Sequence, residues 1–509
     1  MQGNMAKALK NRASKQKYVS PSQLALPGFD TPFAEHLNPG NRWVVLAGKI
    51  PWDKLVSVYE NQMHNSETGA DGINPRVAIG AIIIKHICDL DDRETVLQMQ
   101  ENMYMQYFIG YSSFSNEPAF DPSLFVDFRK RLGAEQINEI NERILGLSKN
   151  EQAQDRKTTD SEPDNPDAEP IADGGQQKTE ASVKQPEPSN QGKLIVDATA
   201  CPQDIRYPTD LDLLNDAREK SEELLDHLYC PARHTIKPRT YREIARRFYL
   251  ATAQKKQKTK KAIRSAIRKQ LNYLKRNIKS IYKLLDTYES IPFDEYQYKY
   301  FLVIQTFYEQ QHEMFTKRVH QVDHRIVSIH QPHVRPIVRG KTNAKVEFGA
   351  KIEVSIMNGF SFLEELSWEA YNEGTRLMNT VEKFKRRFGV YPKEVLVDKI
   401  YCTRDNRKQL KLLGIELRGK PLGRPKAVEA HVSPGERNPI EGKFGQAKTA
   451  YGLNRIKARL KQTSESWIAS IVMVLNLVKL AGQIPYYLLS EMITEIIFLL
   501  NLNKRGGLT

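Results

Sequence analysis

The sequence predicts an α/β protein in which a domain built on a mixed β-sheet follows an all-helical unit. Aliphatic runs immediately before Asp197 and Asp398 are typical of strands that are buried on both faces. Residues 346–356 alternate between apolar and polar side chains, which indicates an antiparallel strand with one face in water. Residues 76–133 instead show the spacing of several short helices separated by turns.

Length and charge narrow the classes of function. The chain has 509 residues and a formal net charge of +15, and this length allows about three domains. A charge this positive favours a polyanionic partner, because each neutralised phosphate releases condensed counterions. Charge kept only for solubility is the alternative. The four cysteines, Cys88, Cys201, Cys230 and Cys402, lack the spacing of a zinc site or a disulfide framework, so we expect a reducing cytoplasm.

No segment predicts export or membrane insertion. The N-terminal stretch MAKALKNRASKQK is charged and lacks the apolar core of a secretory signal. The run Trp467–Leu480 is apolar but shorter than a bilayer crossing requires, and Lys479 interrupts its end. We therefore expect a buried helix there and no membrane partner.

Five segments are predicted along the chain. Residues 1–40 form a basic arm, and residues 41–148 form a helical DNA-binding domain. Residues 149–192 are rich in acids, Pro, Gln, Ser and Gly. They cannot bury enough apolar surface to offset chain entropy, which predicts a disordered acidic linker. Residues 193–482 form the catalytic domain, and residues 483–509 form a C-terminal helix.

The helical domain is predicted to contact DNA because one of its helices ends in consecutive cations. These are Arg129, Lys130 and Arg131, which precede a stop at Gly133. An all-α dimerisation or scaffold unit would show the same features, so both interpretations stay open.

A helical insertion of about residues 211–320 is predicted to follow the Asp197 strand. Apolar residues recur at helical spacing from Ile263 to Leu285, and no acidic residue occurs from Lys255 to Leu285. The unbroken positive face predicts contact with a phosphate backbone; a solvated amphipathic hairpin is the alternative. The candidate DNA contacts are Lys255, Lys256, Lys260, Lys261, Arg264 and Arg268.

From Lys193 onward, the order of elements is that of an RNase H-like fold once the insertion is removed. Asp197 and Asp398 each follow a buried strand, and neighbouring strands lie about 4.7–4.9 Å apart. Glu441, near the start of a predicted helix, could converge with them. Three such carboxylates could hold two divalent cations, which activate the attacking oxygen and stabilise the leaving oxygen at a phosphodiester. Mg²⁺ suits such a site, because it is typically held by one or two carboxylates plus substrate phosphates.

Each acid also has a simpler explanation. An aspartate often ends a strand and opens a turn. Asn438, Pro439 and Glu441 fit the N-cap, N1 and N3 positions of a capping box, where the glutamate would serve only the helix. Lys448 lies two turns after Glu441 on the same face, where it could meet a DNA phosphate, and this favours the catalytic interpretation.

The segment ERNPIEGKFGQAK, residues 436–448, resembles the glutamate motif of bacterial insertion-sequence DDE transposases, in particular the IS-five-like group. The Arg, Glu and Lys of that motif correspond to Arg437, Glu441 and Lys448, while Pro434 stands where the family usually has Tyr. The segments that begin VDATACPQ and VDKIYCTR resemble the regions around the family's first and second aspartates. Residues 76–133 resemble its InsH-like N-terminal domain.

The resemblance implies a catalytic domain in which Asp197, Asp398 and Glu441 hold two Mg²⁺ or Mn²⁺ ions. It also implies DNA contacts by Arg437 and Lys448. The implied reaction is DNA strand cleavage at the element's terminal inverted repeats, followed by strand transfer into target DNA. The implied protein is a homodimer on DNA in a bacterial, nucleoid-associated cytoplasm. A metal-dependent nuclease and a non-catalytic DNA-binding regulator are the alternatives. Strand joining would distinguish a transposase from a nuclease. The presence of all three acids argues against a non-catalytic regulator. No Walker A loop is present, which argues against an NTP-driven DNA motor.

Overall fold

A computed structural model describes residues 33, 36–63, 72–147, 189–338, 346–419 and 434–482. The predicted arm at 1–40, the predicted linker at 149–192 and the predicted helix at 483–509 lie wholly or mostly outside these residues.

The N-terminal part is helical, as the sequence predicts. The apolar segment Pro75–Ile87 forms a helix that is buried on all sides. Asn74 caps this helix, because its side chain accepts a hydrogen bond from the Arg76 N–H. The helices are α1 Arg42–Lys49, α2 Trp52–Glu60, α3 Pro75–Ile87, α4 Asp92–Glu101, α5 Met103–Phe108, α6 Phe125–Arg131 and α7 Ala134–Ile144.

A mixed sheet forms the centre of the second part. Its strands are β1 Lys193–Pro202, β2 Arg335–Val338, β3 Val346–Met357, β4 Phe360–Ser367, β5 Glu394–Leu396 and β6 Glu416–Arg418. The strand β3 is antiparallel to β1 on one side and to β2 and β4 on the other. On the far side of β1, β5 and β6 continue the sheet in parallel. The predicted mixed α/β architecture is therefore confirmed.

The helices of this part fall into two groups. Four occupy the region of the predicted insertion, between β1 and β2: α8 Asp210–Leu228, α9 Arg242–Ala253, α10 Lys260–Leu285 and α11 Glu295–Lys317. Four follow β4 and flank the sheet: α12 Leu377–Phe388, α13 Arg404–Leu412, α14 Pro434–Ala450 and α15 Lys461–Gly482.

The prediction that β3 has one face in water is wrong. Glu353 and Ser355, two polar members of the alternation, are 0% and 1% exposed. The helix α12 covers their face of the sheet, and its Thr380 hydroxyl donates to Glu353 Oε1 at 2.5 Å. Both faces of this central strand are therefore packed.

The insertion has its own apolar core, in which α10 packs on α8, α9 and α11. Leu271, Leu274 and Ile281 of the predicted apolar stripe are buried. The buried face also includes Gln270, which donates to the Ala245 carbonyl at 2.9 Å, and Asn277, which donates to the Ser221 hydroxyl at 2.8 Å. These polar residues are buried because α10 packs against three helices, whereas in a simple hairpin it would pack against a single helix.

The helix α15 joins the N-terminal helices to the sheet. It contacts α1, α3, α6, α7 and β4, and its side chains belong to one apolar core shared with both parts. Among the described residues it is the one helix long and apolar enough to cross a membrane, and 67% of its most apolar window is buried inside the protein. The buried helix predicted here is confirmed, although it is longer than the apolar run suggested.

Candidate active site

The two aspartates occupy equivalent positions, one on β1 and one just beyond the end of its parallel neighbour β5. Ile195 of β1 pairs with Leu396 of β5, and each aspartate follows two residues later. Contrary to expectation, Asp197 lies in the middle of its strand, because β1 keeps pairing with β3 as far as Pro202. The strand β5 stops at Leu396, so the sheet opens beside Asp197. Asp398 enters this opening at the start of a 3₁₀ turn, Lys399–Tyr401.

One guanidinium group bridges the two aspartates. Arg437 Nη2 donates to Asp197 Oδ2 at 2.9 Å, and Arg437 Nη1 lies 3.4 Å from Asp398 Oδ1. The side chains of Arg437 and Asp197 are 18% and 20% exposed, whereas that of Asp398 is 51% exposed. The site is thus an opening whose inner carboxylate is largely desolvated and whose outer carboxylate meets solvent.

Burial sets the protonation behaviour of the inner carboxylate. Desolvation raises the pKa of Asp197 above its ordinary value, and the Arg437 guanidinium and the Ala198 N–H only partly oppose that rise. The negative charges of Glu373 and Asp398 raise this pKa further. Such a carboxylate is stabilised in its charged form by a nearby cation.

Glu441 lies one helical turn after Arg437, so both side chains project from the same face of α14. The helix is fixed at this point by Ile440, which is fully buried against Ile195, Ile356 and Leu396. Glu441 itself is exposed, and no hydrogen bond or ion pair joins it to either aspartate. The structure therefore brings Asp197 and Asp398 together around Arg437 and does not bring Glu441 into a cluster with them.

No metal cluster is preformed in the part of the chain that the structure describes. There, no three His, Cys, Asp or Glu side chains are grouped closely enough to hold an ion. The position between the two aspartates is taken by Arg437.

The capping-box explanation of Glu441 is wrong. The helix α14 begins at Pro434, so Asn438 is a helical residue and cannot be the N-cap. Pro439 lies inside the helix, where it cannot donate the usual hydrogen bond to the Gly435 carbonyl. Glu441 is therefore two turns into a helix, and the helix start does not account for it.

Sequence reasoning missed a further carboxylate near the site. Glu373 lies in a 3₁₀ turn after β4, forms a 2.7 Å ion pair with Lys351, and adds to the charge felt by Asp197. It belongs to no local motif. Only the folding of this turn against the turn that follows Asp398 reveals it.

A buried network holds the turn that carries Asp398. The Tyr401 hydroxyl donates to Glu353 at 3.1 Å, and Asn406 Nδ2 donates to the carbonyls of Tyr401 and Gly374 at 2.8 and 2.7 Å. A Cβ on Gly374 would lie 2.6 Å from the Ile400 carbonyl oxygen, so only glycine permits this close approach. The position of Asp398 is thereby tied to β3.

The candidate DNA contacts of the insertion lie on its surface. Lys255, Lys256, Lys260, Lys261, Arg264 and Arg268 are all exposed. Within the described residues, none of the six forms an ion pair with a carboxylate. Arg264 is partly engaged, because it donates to the Phe315 carbonyl at 3.1 Å and stacks over that ring. Lys448 is half-buried on α14.

Two of the three cations at the end of α6 form hydrogen bonds within the N-terminal part. Arg129 makes two 2.8 Å hydrogen bonds to the carboxylate of Asp92, and Arg131 donates to the Tyr59 hydroxyl at 2.8 Å. Lys130 alone of the three cations is exposed. These charges therefore give little support to DNA contact at this helix end.

Two regions of the chain match known family models. Residues 395–478 match a transposase DDE domain, and residues 32–131 match a transposase domain designated DUF772. Both matches support a bacterial insertion-sequence DDE transposase. The DDE match includes Asp398, Arg437, Glu441 and Lys448, whereas Asp197 and the insertion lie outside both matches.

Comparison with individual proteins gives a shorter match. A Rhizobium meliloti protein described as "Uncharacterized protein ORF8 in nfe locus" is 33% identical over 104 residues, which are 20% of this chain and 49% of that protein. The chain thus spans about half the length of this relative. No solved structure matched the chain.

Proposed function

We propose that this transposase cleaves DNA at the ends of its element and transfers the resulting 3′-hydroxyl groups to target DNA, with Asp197, Asp398 and Glu441 as the catalytic carboxylates. The observation that carries the proposal is the convergence of Asp197 and Asp398 on a single cation at the open end of β5. The position of Glu441 supports the proposal, because Glu441 projects from the same face of α14 as Arg437, which contacts both aspartates.

The donor set fits divalent metal ions of the kind that DDE transposases generally use. Carboxylate oxygens are the ligands that Mg²⁺ and Mn²⁺ prefer, and the Arg437 guanidinium is a stand-in cation at the position between them. Two ions held by Asp197, Asp398 and Glu441 would activate the attacking oxygen and stabilise the leaving oxygen of a phosphodiester. For this, Arg437 must move aside and Glu441 must turn inward.

Each carboxylate has a distinct role in the proposal. Asp197, on a strand paired with β3, is the rigid inner ligand. Asp398, held by the buried network beneath its turn, is the outer ligand that faces incoming DNA. Glu441 completes the site from the helix and can adjust, because it is exposed. The order of the strands, with β3–β1–β5–β6 adjacent and only β3 antiparallel, supports an RNase H-like catalytic domain.

DNA binding is assigned to two surfaces, one on the insertion and one at the carboxylate site. The exposed cations at the start of α10 hold the phosphate backbone, and Arg437 and Lys448 of α14 contact phosphate at the site itself. Base reading is placed in the N-terminal helical part. The protein acts as a dimer on DNA in the bacterial cytoplasm.

Substitution of the three acids tests this proposal. Asp197→Ala, Asp398→Ala and Glu441→Ala should each abolish cleavage of element-end DNA, because each removes a metal ligand. Binding of the same DNA in a mobility-shift assay should remain, because the cations are untouched. Asp405→Ala is the matched control, since Asp405 is an exposed acid close in sequence to Asp398.

Glu441 is the residue at which the proposed set of ligands is tested most directly. Cleavage by Glu441→Ala at the wild-type rate would contradict the proposed set of ligands. Detection of joined products alongside nicked products separates strand transfer from simple nuclease activity.

A further inference from the structure

Arg437 is held in place between the two aspartates by its own helix. The neighbouring Ile440 is 0% exposed and packs against residues of β1, β3 and β5. From this anchored backbone, the guanidinium reaches Asp197 with one terminal nitrogen and Asp398 with the other. Such a geometry suits a planar guanidinium with donors in a fixed fork, and a lysine could not reproduce it.

Arg437 is also the single cation in contact with either aspartate among the described residues. Glu373, a further carboxylate whose charge acts on Asp197, has its own cation in Lys351 at 2.7 Å. The local charges are thus arranged so that the two aspartates share one arginine as their cation. A divalent ion would be bound by the same oxygens.

We propose that Arg437 closes the metal site of the DNA-free protein and must leave Asp197 and Asp398 before metal binds there. Mg²⁺ needs ligand oxygens at about 2.0–2.1 Å. The guanidinium nitrogen at 2.9 Å from Asp197 Oδ2 already uses that oxygen. The positive charges of the guanidinium and the metal also repel each other beside an inner carboxylate, Asp197, that is largely desolvated.

A guanidinium group keeps its positive charge in proteins, so competition with a metal ion cannot be avoided while Arg437 stays in place. It leaves only by rotating towards another anion. If the proposed function holds, that anion is a phosphodiester of the bound DNA, which accepts paired hydrogen bonds from a guanidinium as a carboxylate does. DNA binding then opens the metal site, and metal loads on substrate rather than before it. The free transposase is thereby kept from acting as a metal-loaded nuclease.

Mn²⁺ binding to the full chain without DNA, measured by electron paramagnetic resonance, tests the inference independently of activity. Arg437→Gln removes the charge and should tighten Mn²⁺ binding by about tenfold or more, within the range of typical coupling between competing ligands. Arg437→Lys retains a cation and should bind Mn²⁺ more weakly than Arg437→Gln. Equal affinities of wild type and Arg437→Gln would overturn the inference.

The double variant Asp197→Asn/Arg437→Gln separates this inference from the proposed function. Loss of Mn²⁺ binding in the double variant supports the aspartate site. If the double variant bound Mn²⁺ as tightly as Arg437→Gln, the aspartate site itself, and with it the proposed function, would be wrong.

A second measurement uses the wild-type protein and therefore does not depend on the folding of a variant. Addition of a DNA duplex should increase Mn²⁺ binding to the wild-type protein beyond the background that Asp197→Asn/Asp398→Asn shows with the same duplex. No increase over that background would also overturn the inference.

Discussion

At the scale of single residues, Glu353 is a carboxyl group without solvent exposure on the strand next to Asp197. Burial raises its pKa to about 7, although the hydrogen bonds from Thr380 and Tyr401 oppose the rise. Near neutral pH this carboxyl group therefore carries a proton part of the time. Partial protonation reduces the average negative charge of Glu353 on the strand next to Asp197.

The raised pKa predicts a specific dependence of stability on pH. The folded protein binds this proton more tightly than the unfolded chain does, where the pKa is near 4.5. Stability from this group is thus fully present below about pH 4.5 and is lost as the pH rises to about 7. The full effect of such a shift is about 3 kcal/mol.

Glu353→Gln should remove this dependence, because the amide keeps hydrogen-bonding capacity and does not titrate. The free energy of unfolding, measured in urea at pH 5 and pH 7.5, should fall with pH more steeply in wild type than in Glu353→Gln. The exposed Glu289→Gln should follow wild type. Parallel curves for wild type and Glu353→Gln would show that Glu353 is not the group responsible.

At the scale of elements, α10 has two faces with different tasks. One face packs Leu271, Leu274 and Ile281 into the core of the insertion. The opposite face, with the turn before it, presents lysines that carry no carboxylate partner within the described residues. The amphipathic spacing predicted the first face correctly, and DNA contact by the second stays a prediction.

Replacement of Lys255, Lys256, Lys260 and Lys261 by Gln should flatten the dependence of DNA affinity on salt. Each phosphate contact on duplex DNA contributes about −0.9 to the slope of log affinity against log salt. Loss of four contacts therefore changes the slope by up to roughly three to four units. Sequence preference should stay the same, because phosphate contacts carry no base information.

Fluorescence anisotropy at several salt concentrations measures this slope. Lys408→Gln/Lys411→Gln provides a control, because these lysines are exposed on α13. An unchanged slope in the fourfold variant would identify the lysine face as a solvated surface.

At the scale of the whole molecule, α15 makes the N-terminal helices and the sheet one folding unit. Asn476 of α15 is fully buried. Its side chain donates to Asn141 of α7 at 2.9 Å and to the Ser361 carbonyl of β4 at 2.7 Å, and it accepts from the Ser361 N–H at 2.7 Å. Three elements from distant parts of the chain therefore share one polar contact in an apolar core.

Asn476→Leu should lower the free energy of unfolding by about 2–4 kcal/mol, because it leaves buried polar groups without partners. Unfolding in denaturant, followed by circular dichroism and tryptophan fluorescence, should remain a single transition, since both parts share the core. The exposed Asn272→Ala on α10 should be close to neutral. Two separated transitions in wild type would contradict the single unit.

The sequence alone was enough to locate the strands before Asp197 and Asp398, the helices of the N-terminal part and the insertion, and the motif around Glu441. Each is a local pattern: an aliphatic run before an acid, a helical repeat of apolar residues, or a short series of specific residues. Such patterns depend on neighbours a few positions apart, so they can be recognised without the fold.

Only the tertiary structure decided what each residue meets. Alternation predicted that Glu353 faces water, but α12 covers it. A proline after an asparagine suggested a helix start, but α14 begins before both. Arg437 was expected to touch DNA, yet in this structure it joins Asp197, 240 positions away, to Asp398. A local pattern indicates the direction in which a side chain points. The residue that it contacts often lies far away in the sequence, so the contact depends on how the whole chain packs.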